Sequence, residues 1–258
     1  VCEHVVNAGG CYADRIGAWV GVHIPYINLR HQYLVTEPID EFVEREEEMP
    51  VTRDSSCSAY YRQEQKSALI GPYETGSREA WPGEGGQDWN ATHELFPAEM
   101  DPIMPWLDKV RKRVPILADA EVERVVNGAI AHTPDDNPLV GPAPGVRNFW
   151  LCGATSLGIA QGAGSGKYLA QWMVHGASEI NMASMDPRRF GSYADKAYTS
   201  AKGHETYANM YVLQLPGDER PAGRPARTTP LYEKLKAKGA VHTEVFGWER
   251  PSWFSLDG

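Results

Sequence analysis

The chain has 258 residues, a hydrophobic fraction of 42% and a formal net charge of −9 at pH 7. That length is enough to bury one large core or two modest ones. Lysine and arginine number 25 against 34 acidic residues, and an acidic chain without a basic stripe is repelled by phosphate backbones, which argues against nucleic acid as a partner. No apolar run approaches the roughly 20 residues that span a bilayer, so we expect no membrane insertion.

The four cysteines are scattered and too few to crosslink a fold of this size, so a reducing compartment fits best. The first residue is Val1 rather than Met, and the segment after it has neither the basic region nor the apolar stretch of a signal peptide. Residues 1–6 already resemble a core strand. We therefore expect that the numbered chain begins inside a longer protein.

The first half of the chain has the pattern of a mainly β structure. Residues 1–6 end at a turn of small residues, and a short helix is predicted from Tyr12. Strand character recurs at residues 24–29, 33–35, 58–63 and 67–70, and the proline- and glycine-containing connections between them indicate an antiparallel sheet. A helix is predicted over residues 101–114, because its apolar side chains fall on one face: Ile103, Leu107, Val110 and Val114.

The second half alternates strands and helices before it becomes irregular. Strands are predicted at residues 121–130 and 149–152, with a turn-rich loop between them. A strong helix follows at residues 158–175, and another helical region is predicted from Asp186 to about Tyr211. From residue 216 onward, proline, glycine and arginine dominate, which predicts an extended connector with one short helix near residues 231–238.

Within the helix at residues 158–175, Gly158, Gly162, Gly166 and Ala170 recur every four residues and therefore share one face. Each glycine costs roughly 1 kcal/mol relative to alanine inside a helix, so a compensating close approach of a backbone or a flat ligand is expected. The unpaired amides at the start of this helix favour an anion or a carbonyl oxygen. A helix packed tightly on a sheet without any ligand would show the same spacing. A phosphate-binding loop is excluded, because Tyr168 follows Lys167 where that motif needs serine or threonine.

Two further segments are candidates for ligand contact. Residues 5–10 end a strand in a small-residue turn, and such turns expose backbone at the carboxyl edge of open α/β sheets. Residues 133–141 form a proline-fixed turn whose Leu139 and Val140 suit the face of a ring. An ordinary loop would carry the same residues in both cases.

Taken in chain order, these segments resemble the D-amino-acid-oxidase-like flavoproteins, and more narrowly the dimethylglycine and sarcosine dehydrogenase family. The matching stretches are residues 5–10, 31–33, 60–62, 133–141, 158–172, 186–190, 220–225 and 246–254. The resemblance spans nearly the whole chain, and the C-terminal stretches are its most specific part. The family's N-terminal dinucleotide fingerprint, its histidine for covalent flavin attachment and its folate module have no counterpart in this sequence.

The resemblance implies an α/β (mixed α+β) architecture that combines part of an FAD-binding doubly wound domain with an antiparallel-sheet substrate domain. Residues 1–22 and 126–178 would belong to the FAD-binding domain and residues 23–125 to the substrate domain. Residues 179–258 would form a helical and extended linker that precedes a folate-binding module. FAD is the implied cofactor, and tetrahydrofolate would act through the module outside this chain.

The resemblance also implies which residues contact the flavin. The turn residues would border the cofactor, Pro138 would lie beside it, and the helix start would offer amides to the pyrimidine edge of the flavin. A helix N-terminus suits the negative charge that reduced flavin carries near N1 and the C2 carbonyl. The cofactor-binding candidates are Asn7, Ala8, Gly9, Gly10, Pro138, Leu157, Gly158, Ile159 and Ala160.

His31 and Tyr60 match the family's substrate-site histidine and tyrosine and are the catalytic candidates. Histidine titrates near neutrality, and a tyrosine can donate to a carboxylate or relay a proton. A single histidine in a strand also serves as a satisfied structural residue. Tyr60 and Tyr61 point to opposite faces of a strand, so only one of them can line a cavity, and we choose Tyr60. The other histidines and the cysteines lack metal-ligand spacing, so we expect no metal site.

The resemblance therefore predicts a flavoprotein of one-carbon metabolism that oxidatively demethylates a small N-methylated amino acid and yields formaldehyde or methylene-folate. Its implied partners are the N-terminal half of the flavoprotein and, as electron acceptor, oxygen or an electron-transfer flavoprotein. The implied location is the bacterial cytoplasm or the mitochondrial matrix. The alternative is a non-catalytic regulator that resembles the regulatory subunit of pyruvate dehydrogenase phosphatase.

Overall fold

The computed structural model describes residues 1–83, 86–93 and 95–255 of the chain. Its strands, in chain order, are β1 (Val5–Asn7), β2 (Ile27–Thr36), β3 (Thr52–Asp54), β4 (Ala59–Glu64), β5 (Ser67–Pro72), β6 (Val122–His132), β7 (Leu139–Pro142), β8 (Phe149–Gly153), β9 (Ala240–Val245) and β10 (Trp248–Phe254). Its α-helices are α1 (Ala13–Ala18), α2 (Asp40–Val43), α3 (Met100–Arg113), α4 (Gly158–His175), α5 (Lys196–Ala208) and α6 (Tyr232–Lys236). Among the residues described, no helix is long and apolar enough to cross a membrane.

The chain divides into two compact units. Unit 1 contains Val1–Ile27, Ala131–Gly203 and Pro216–Gly258, and unit 2 contains Asn28–Ile130 and His204–Leu215. The mixed α/β fold class predicted from the sequence is confirmed. The division by role into FAD-binding, substrate and linker segments stays a prediction.

Unit 1 is built on a small mixed sheet with the strand order β1-β8-β7. Strand β1 runs parallel to β8, and β7 runs antiparallel to β8. Parallel pairing needs a long connection between the two strands, and here the chain between residues 7 and 149 supplies it. The core beside this sheet includes Leu139, Phe149 and Leu151, which pack with Ile24 and Phe190.

Unit 2 is built on a five-stranded sheet with the order β3-β4-β5-β2-β6. The pairs β3/β4, β4/β5 and β2/β5 are antiparallel, as the sequence predicted. Helix α3 buries Ile103, Leu107 and Val110 against apolar side chains that include Leu34 and Ile70. Burial of one such side chain contributes about 1.5–3 kcal/mol, which explains why the apolar period located this helix correctly.

The structure corrects the helical region predicted from Asp186. A short 3₁₀ turn occupies Pro187–Arg189, because the Asp186 carboxylate accepts a hydrogen bond from the Arg188 amide at 2.9 Å and caps it. The backbone then becomes irregular, and the α-helix begins only at Lys196.

The prediction of an extended C-terminal connector is wrong for residues 240–254, where β9 and β10 form an antiparallel hairpin. Phe246 and Gly247 connect the strands with φ values of 50° and 77°. Two successive positive φ values are typical of a tight hairpin turn, which usually carries Asn-Gly or Asp-Gly. Phenylalanine in this position concealed the turn. The buried Glu249 on β10 receives two hydrogen bonds from the Arg224 guanidinium, at 2.7 and 2.8 Å, and fastens the hairpin to the preceding segment.

Candidate active site

The glycine face of α4 in unit 1 is exposed to solvent. Its residues Gly158, Gly162, Gly166 and Ala170 are all exposed. A Cβ built on Gly162 or Gly166 would meet no described atom within 4 Å, and one on Gly158 would meet only the Thr155 methyl group at 3.7 Å. Packing within the described chain therefore does not account for these glycines. The opposite face explains the helix's position, because Leu169 is buried with Val140 and Met182.

The start of α4 offers backbone donors. The Leu157 amide is bonded to Thr155 Oγ1 at 3.2 Å, so this residue has less to offer a ligand than predicted. The amides of Gly158, Ile159 and Ala160 belong to the first turn, where an α-helix provides no internal acceptor. All three residues are exposed, and the Ile159 side chain is fully exposed, at 104% of its reference area. The first turn can therefore donate to a carbonyl oxygen or an anion.

The small-residue turn after β1 is organised by the side chain of Asn7. Its amide nitrogen donates to the Ala13 carbonyl at 2.8 Å, and its amide oxygen accepts from the Gly9 amide at 3.1 Å. The buried Asn7 therefore shapes the turn, while Ala8 and Gly10 remain exposed. Gly10 has a φ of 55°, which favours glycine.

Pro138 is buried inside a braced loop. The Arg189 guanidinium donates to its carbonyl at 3.3 Å and makes two bonds to the Asp135 carboxylate, at 2.7 and 2.8 Å. Gly141 at the end of this loop has a φ of 146°, and a Cβ there would lie 2.8 Å from the Trp172 ring. This loop is rigid for reasons internal to unit 1.

In unit 2 the two catalytic candidates lie side by side. His31 on β2 is buried, and its Nε2 lies 3.1 Å from the hydroxyl of Tyr60 on β4. Its Nδ1 lies 3.0 Å from the hydroxyl of Tyr207 on α5, and that hydroxyl donates to the Glu74 carboxylate at 2.7 Å. Four titratable side chains therefore form one hydrogen-bonded chain, Glu74–Tyr207–His31–Tyr60.

Aromatic rings surround this chain. The Tyr73 ring stacks on His31 with 4.4 Å between centroids, and Tyr211 lies edge-on to Tyr60 and Tyr73 at 6.2 and 5.0 Å. We call His31, Tyr60, Tyr73, Tyr207 and Tyr211 the aromatic cluster. Tyr60 and Tyr211 are half-buried, whereas His31, Tyr73 and Tyr207 are buried, so the cluster opens at Tyr60 and Tyr211.

Burial sets the protonation of the groups around His31. It raises the pKa of Tyr60 and of Tyr207 well above the usual value for a phenol, so both hydroxyls keep their protons and act as O–H donors. Burial also raises the pKa of Glu74, which the hydrogen bond from Tyr207 partly opposes. The hydroxyl protons of Tyr60 and Tyr207 therefore stay within the hydrogen-bonded series that links these groups to His31 and Glu74.

Strand register explains why Tyr60 and not Tyr61 reaches His31. Tyr60 lies directly across from Gly71 on β5, and a Cβ built on Gly71 would overlap the Tyr60 ring. Glycine at position 71 therefore makes room for that ring. Tyr61 points to the other face, where its hydroxyl donates to Asp54 at 3.2 Å. The choice of Tyr60 on the alternation of a β-strand agrees with this geometry.

Arg53 stands at the open side of the aromatic cluster. It pairs with Tyr60 across β3 and β4, and its guanidinium carbon lies 5.4 Å from the centre of the Tyr211 ring. Its side chain belongs to an exposed residue. A cation in this position attracts an anionic group that approaches the cluster.

Sequence reasoning missed Tyr73, Glu74, Tyr207, Tyr211 and Arg53. Tyr207 and Tyr211 are four residues apart, so helical spacing alone predicts that they share a side. Nothing in the sequence places that side against a strand 176 residues earlier. Arg53 could have been found from β-hairpin register, because it faces Tyr60 across the strand pair.

Comparisons with known proteins show the family to which this chain belongs. The family model "FAD dependent oxidoreductase" matches residues 1–172, and the model "FAD dependent oxidoreductase central domain" matches residues 175–229. Human mitochondrial dimethylglycine dehydrogenase is 38% identical over 99% of the chain and 30% of its own length. The mouse regulatory subunit of pyruvate dehydrogenase phosphatase is 31% identical over 98% of the chain and 29% of its own length.

The crystal structure of L-proline dehydrogenase from P. horikoshii gives a TM-score of 0.56 at 24% identity, over 72% of this chain and 46% of that one, which shows a shared fold. The chain therefore belongs to the FAD-dependent oxidoreductase family and, within it, resembles the dimethylglycine and sarcosine dehydrogenases. It spans about 30% of the length of the curated relatives that it matches.

The residues of unit 1 fit an FAD cofactor. The family binds FAD, and the exposed side-chain-free face of α4 leaves space that a flat ring or a backbone can occupy. The first-turn amides of Gly158, Ile159 and Ala160 are donors that would hold the pyrimidine edge of the flavin. Within the described part of the chain, no group of three or more metal-ligating side chains is found.

Proposed function

We propose that this chain is part of an FAD-dependent amine oxidoreductase that removes an N-methyl group from a small amino acid such as dimethylglycine or sarcosine. The observation that carries the proposal is the His31–Tyr60 hydrogen bond inside the aromatic cluster, in a member of this flavoprotein family. The other features of the cluster fit such a substrate.

The cluster suits the cationic end of an N-methylated amino acid. Methylated ammonium groups bind to the faces of aromatic rings, with about 0.5–2 kcal/mol from each favourable contact. The half-buried rings of Tyr60 and Tyr211 offer such faces at the open side of the cluster. Arg53 beside Tyr211 would then bind the substrate carboxylate. A substrate with one positive and one negative end matches both features.

The reaction requires an unprotonated amine, because the nitrogen lone pair must form the new C=N bond. Tyr60 would accept the ammonium proton as its own proton passes to His31. Bound FAD supplies the two-electron oxidation by accepting a hydride equivalent from the N-methyl carbon. The iminium product then adds water and breaks into the demethylated amine, formaldehyde and a proton. Transfer of the one-carbon unit to tetrahydrofolate is the other fate that we propose.

The edge of β1 and the glycine face of α4 suit contact with the N-terminal, nucleotide-binding portion of a flavoprotein. Val5 and Val6 are exposed to 46% and 42% although they lie in a strand, and β1 forms an edge of its sheet. An exposed apolar edge strand is a site of pairing with another segment. We propose that the N-terminal portion of the flavoprotein covers these surfaces. Residues 1–258 purified alone should then carry no flavin, and retention of FAD without a second polypeptide would contradict this.

Electron-transfer flavoprotein is the electron acceptor that we propose, with oxygen as the alternative. The location that we propose is the mitochondrial matrix or, in a bacterium, the cytoplasm. Anaerobic reduction followed by exposure to air distinguishes the acceptors, because an oxidase is reoxidised within seconds and a dehydrogenase is not.

The experiment that tests the proposed function is the absorption spectrum of the flavoprotein under anaerobic conditions. Addition of dimethylglycine or sarcosine should bleach the flavin band near neutral pH, and formaldehyde should be released in equal amount. Glycine, which lacks the N-methyl group, is the matched control and should leave the spectrum unchanged. A protein without flavin absorbance, or with a flavin that neither amine reduces, would favour the regulatory alternative, which the comparisons support less well.

A further inference from the structure

Both ring nitrogens of His31 form hydrogen bonds with tyrosine hydroxyls of the aromatic cluster. Nε2 lies 3.1 Å from the Tyr60 hydroxyl and Nδ1 lies 3.0 Å from the Tyr207 hydroxyl. A neutral imidazole has one N–H and one lone pair, so it donates at one nitrogen and accepts at the other. Which nitrogen carries the proton therefore depends on the groups at the two ends of the chain.

Glu74 decides the direction. A carboxylate only accepts hydrogen bonds, so the Tyr207 hydroxyl donates to Glu74, and the distance between them is 2.7 Å. The oxygen of Tyr207 has two lone pairs, so it can accept a hydrogen bond from an Nδ1–H of His31 beside its hydrogen bond with the Ser77 side chain. With the proton on Nδ1, the lone pair lies on Nε2, and the Tyr60 hydroxyl donates inward to it. The oxygen of Tyr60 consequently presents its lone pairs outward, at the open side of the cluster.

We propose that Glu74 and Tyr207 are positioning residues that hold the His31 proton on Nδ1 and thereby make Tyr60 a proton acceptor for the substrate ammonium. This inference rests on the proposed function for the identity of the substrate. When the ammonium proton passes to the Tyr60 oxygen, the Tyr60 proton passes to Nε2. The amine becomes neutral and the imidazole becomes an imidazolium, so charge is conserved. The Glu74 carboxylate stabilises that imidazolium through Tyr207.

The surroundings of the chain supply few other charges. Among the described residues, the rings in contact with His31 are Tyr60 from β4, Tyr73 from the segment after β5, and Tyr207 from α5. Glu74 and Ser77 form hydrogen bonds with the Tyr207 hydroxyl, and Tyr211 lies against Tyr60 and Tyr73. The charged groups beyond these residues are Arg62 near Tyr60, Arg53 at Tyr211 and Glu99 near Glu74, and the neutral phenol of Tyr33 also lies near Tyr60. Glu99 is neutralised by a 2.5 Å ion pair with Arg30. The carboxylate in contact with the chain is therefore Glu74.

The same groups fix the geometry of His31. Nearly all of Tyr207 is buried, with 1% of its surface exposed, and Glu74 is 3% exposed. Buried hydrogen-bonded groups are costly to displace, since an unsatisfied one loses about 1–3 kcal/mol. Tyr207 also packs against Tyr73, with 5.0 Å between ring centroids. The buried Tyr207 and Glu74 therefore hold His31 in position, and the half-buried Tyr60 is the residue of this hydrogen-bonded series that a substrate can reach.

Deuterium exchange at the imidazole carbon between the two ring nitrogens, followed by mass spectrometry across a pH series, measures the titration of His31 without any substrate. Removal of the Glu74 charge in Glu74→Gln should shift the His31 midpoint downward by about one pH unit, because an imidazolium loses a nearby opposite charge. Tyr207→Phe, which interrupts the chain and leaves Glu74 in place, should shift it in the same direction. Two independent variants are used so that a failure of one to fold leaves the other decisive.

Two matched controls distinguish the effect of the Glu74–Tyr207–His31 hydrogen bonds from the effect of removing any nearby hydroxyl or carboxylate. Tyr61→Phe removes a hydroxyl on the opposite face of the same strand as Tyr60 and should leave the His31 midpoint unchanged. Glu99→Gln removes a nearby carboxylate that is not part of the Glu74–Tyr207–His31–Tyr60 hydrogen bonds. It should shift the His31 midpoint much less than Glu74→Gln does. An equal shift in Glu99→Gln, or an unchanged midpoint in both Glu74→Gln and Tyr207→Phe, would overturn the proposal.

The kinetic measurement complements the exchange experiment. The rate of anaerobic flavin reduction divided by the substrate dissociation constant reports the ionisation of the free enzyme. Its acid limb should move to lower pH in Glu74→Gln and Tyr207→Phe, in parallel with the exchange midpoint. If N-methyl amines do not reduce the wild-type flavin, the proposed function fails while the exchange result still tests the relay.

Discussion

The two candidate regions of this protein offer different kinds of groups to a ligand. On the glycine face of α4 in unit 1 the glycines have no side chains, and the exposed backbone amides of Gly158–Ala160 are what a cofactor would contact. In the aromatic cluster of unit 2 the half-buried rings of Tyr60 and Tyr211 are what a substrate would contact, and three buried rings support them. The difference follows from the chemistry: a flat cofactor with hydrogen-bonding edges needs close approach and amides, while an amine needs ring faces and a proton acceptor.

The two regions also differ in how substitutions should act. A side chain added to α4 would fill space and displace the cofactor, so the effect should be close to complete. A side chain removed from the cluster leaves the fold supported by its neighbours, so the effect should be a graded loss of rate or affinity. Four substitutions distinguish loss of the cofactor from a graded loss of rate or affinity.

Gly158→Val should abolish flavin retention, because a branched side chain would occupy the exposed start of α4. The flavin content of the purified variant, read from its absorbance, is the measurement. Gly164→Val is the matched control, since Gly164 lies on α4 outside the row of Gly158, Gly162 and Gly166, and the β-branched residue should cost some helix stability but leave the flavin bound. Full flavin occupancy in Gly158→Val would show that the glycine face has another purpose.

His31→Gln should slow anaerobic flavin reduction by about 10²-fold or more, the usual contribution of a positioned acid–base group. The flavin should remain bound, because the proposed flavin contacts are backbone amides of Gly158–Ala160 and do not involve the His31 side chain. Stopped-flow absorbance measures the rate. An unchanged rate would leave His31 with only a structural role, as a buried histidine packed between tyrosines.

Gly71→Ala should slow flavin reduction about tenfold while Tyr61→Phe leaves the rate unchanged. The added methyl group would overlap the ring of Tyr60, and displacement of that ring weakens its hydrogen bond to His31, with a cost of about 1–2 kcal/mol for one such bond. The comparison of the two variants separates the His31 side of β4 from the side that carries Tyr61. Equal rates in both variants would contradict the assigned role of the Tyr60 ring.

Arg53→Gln should weaken the binding of dimethylglycine about tenfold, the effect of losing one charge-assisted contact at a partly exposed site. The limiting rate of flavin reduction should change little, because Arg53 would bind the carboxylate and not the reacting nitrogen. Trimethylamine, which has no carboxylate, is the control ligand. The wild-type protein and Arg53→Gln should bind it with the same affinity. An equal loss of affinity for both ligands would assign Arg53 to the architecture of the Tyr211 ring instead.

The sequence located the two candidate regions with unequal success. The helix at residues 158–175 was predicted with the bounds that the structure shows, because a four-residue spacing along one segment is a local property. The antiparallel sheet and α3 were also predicted, since apolar alternation and apolar period reflect burial directly. The hairpin at residues 240–254 was missed because its turn carries Phe246-Gly247.

Local pattern in the sequence predicted most of the secondary structure and the glycine face of α4, and the family resemblance indicated His31 and Tyr60 as candidates. Only the tertiary structure brings Tyr207 and Glu74 to His31. The sequence separation is 176 residues between His31 and Tyr207, and 133 residues between Glu74 and Tyr207. A hydrogen bond of that range leaves no trace in a local period, because neither side chain alters the backbone preference or the burial pattern of its own segment. The hydrogen bonds among Glu74, Tyr207 and His31 therefore arise only in the folded chain. The side-chain-free face of α4, in contrast, can be predicted from the four-residue spacing of its glycines.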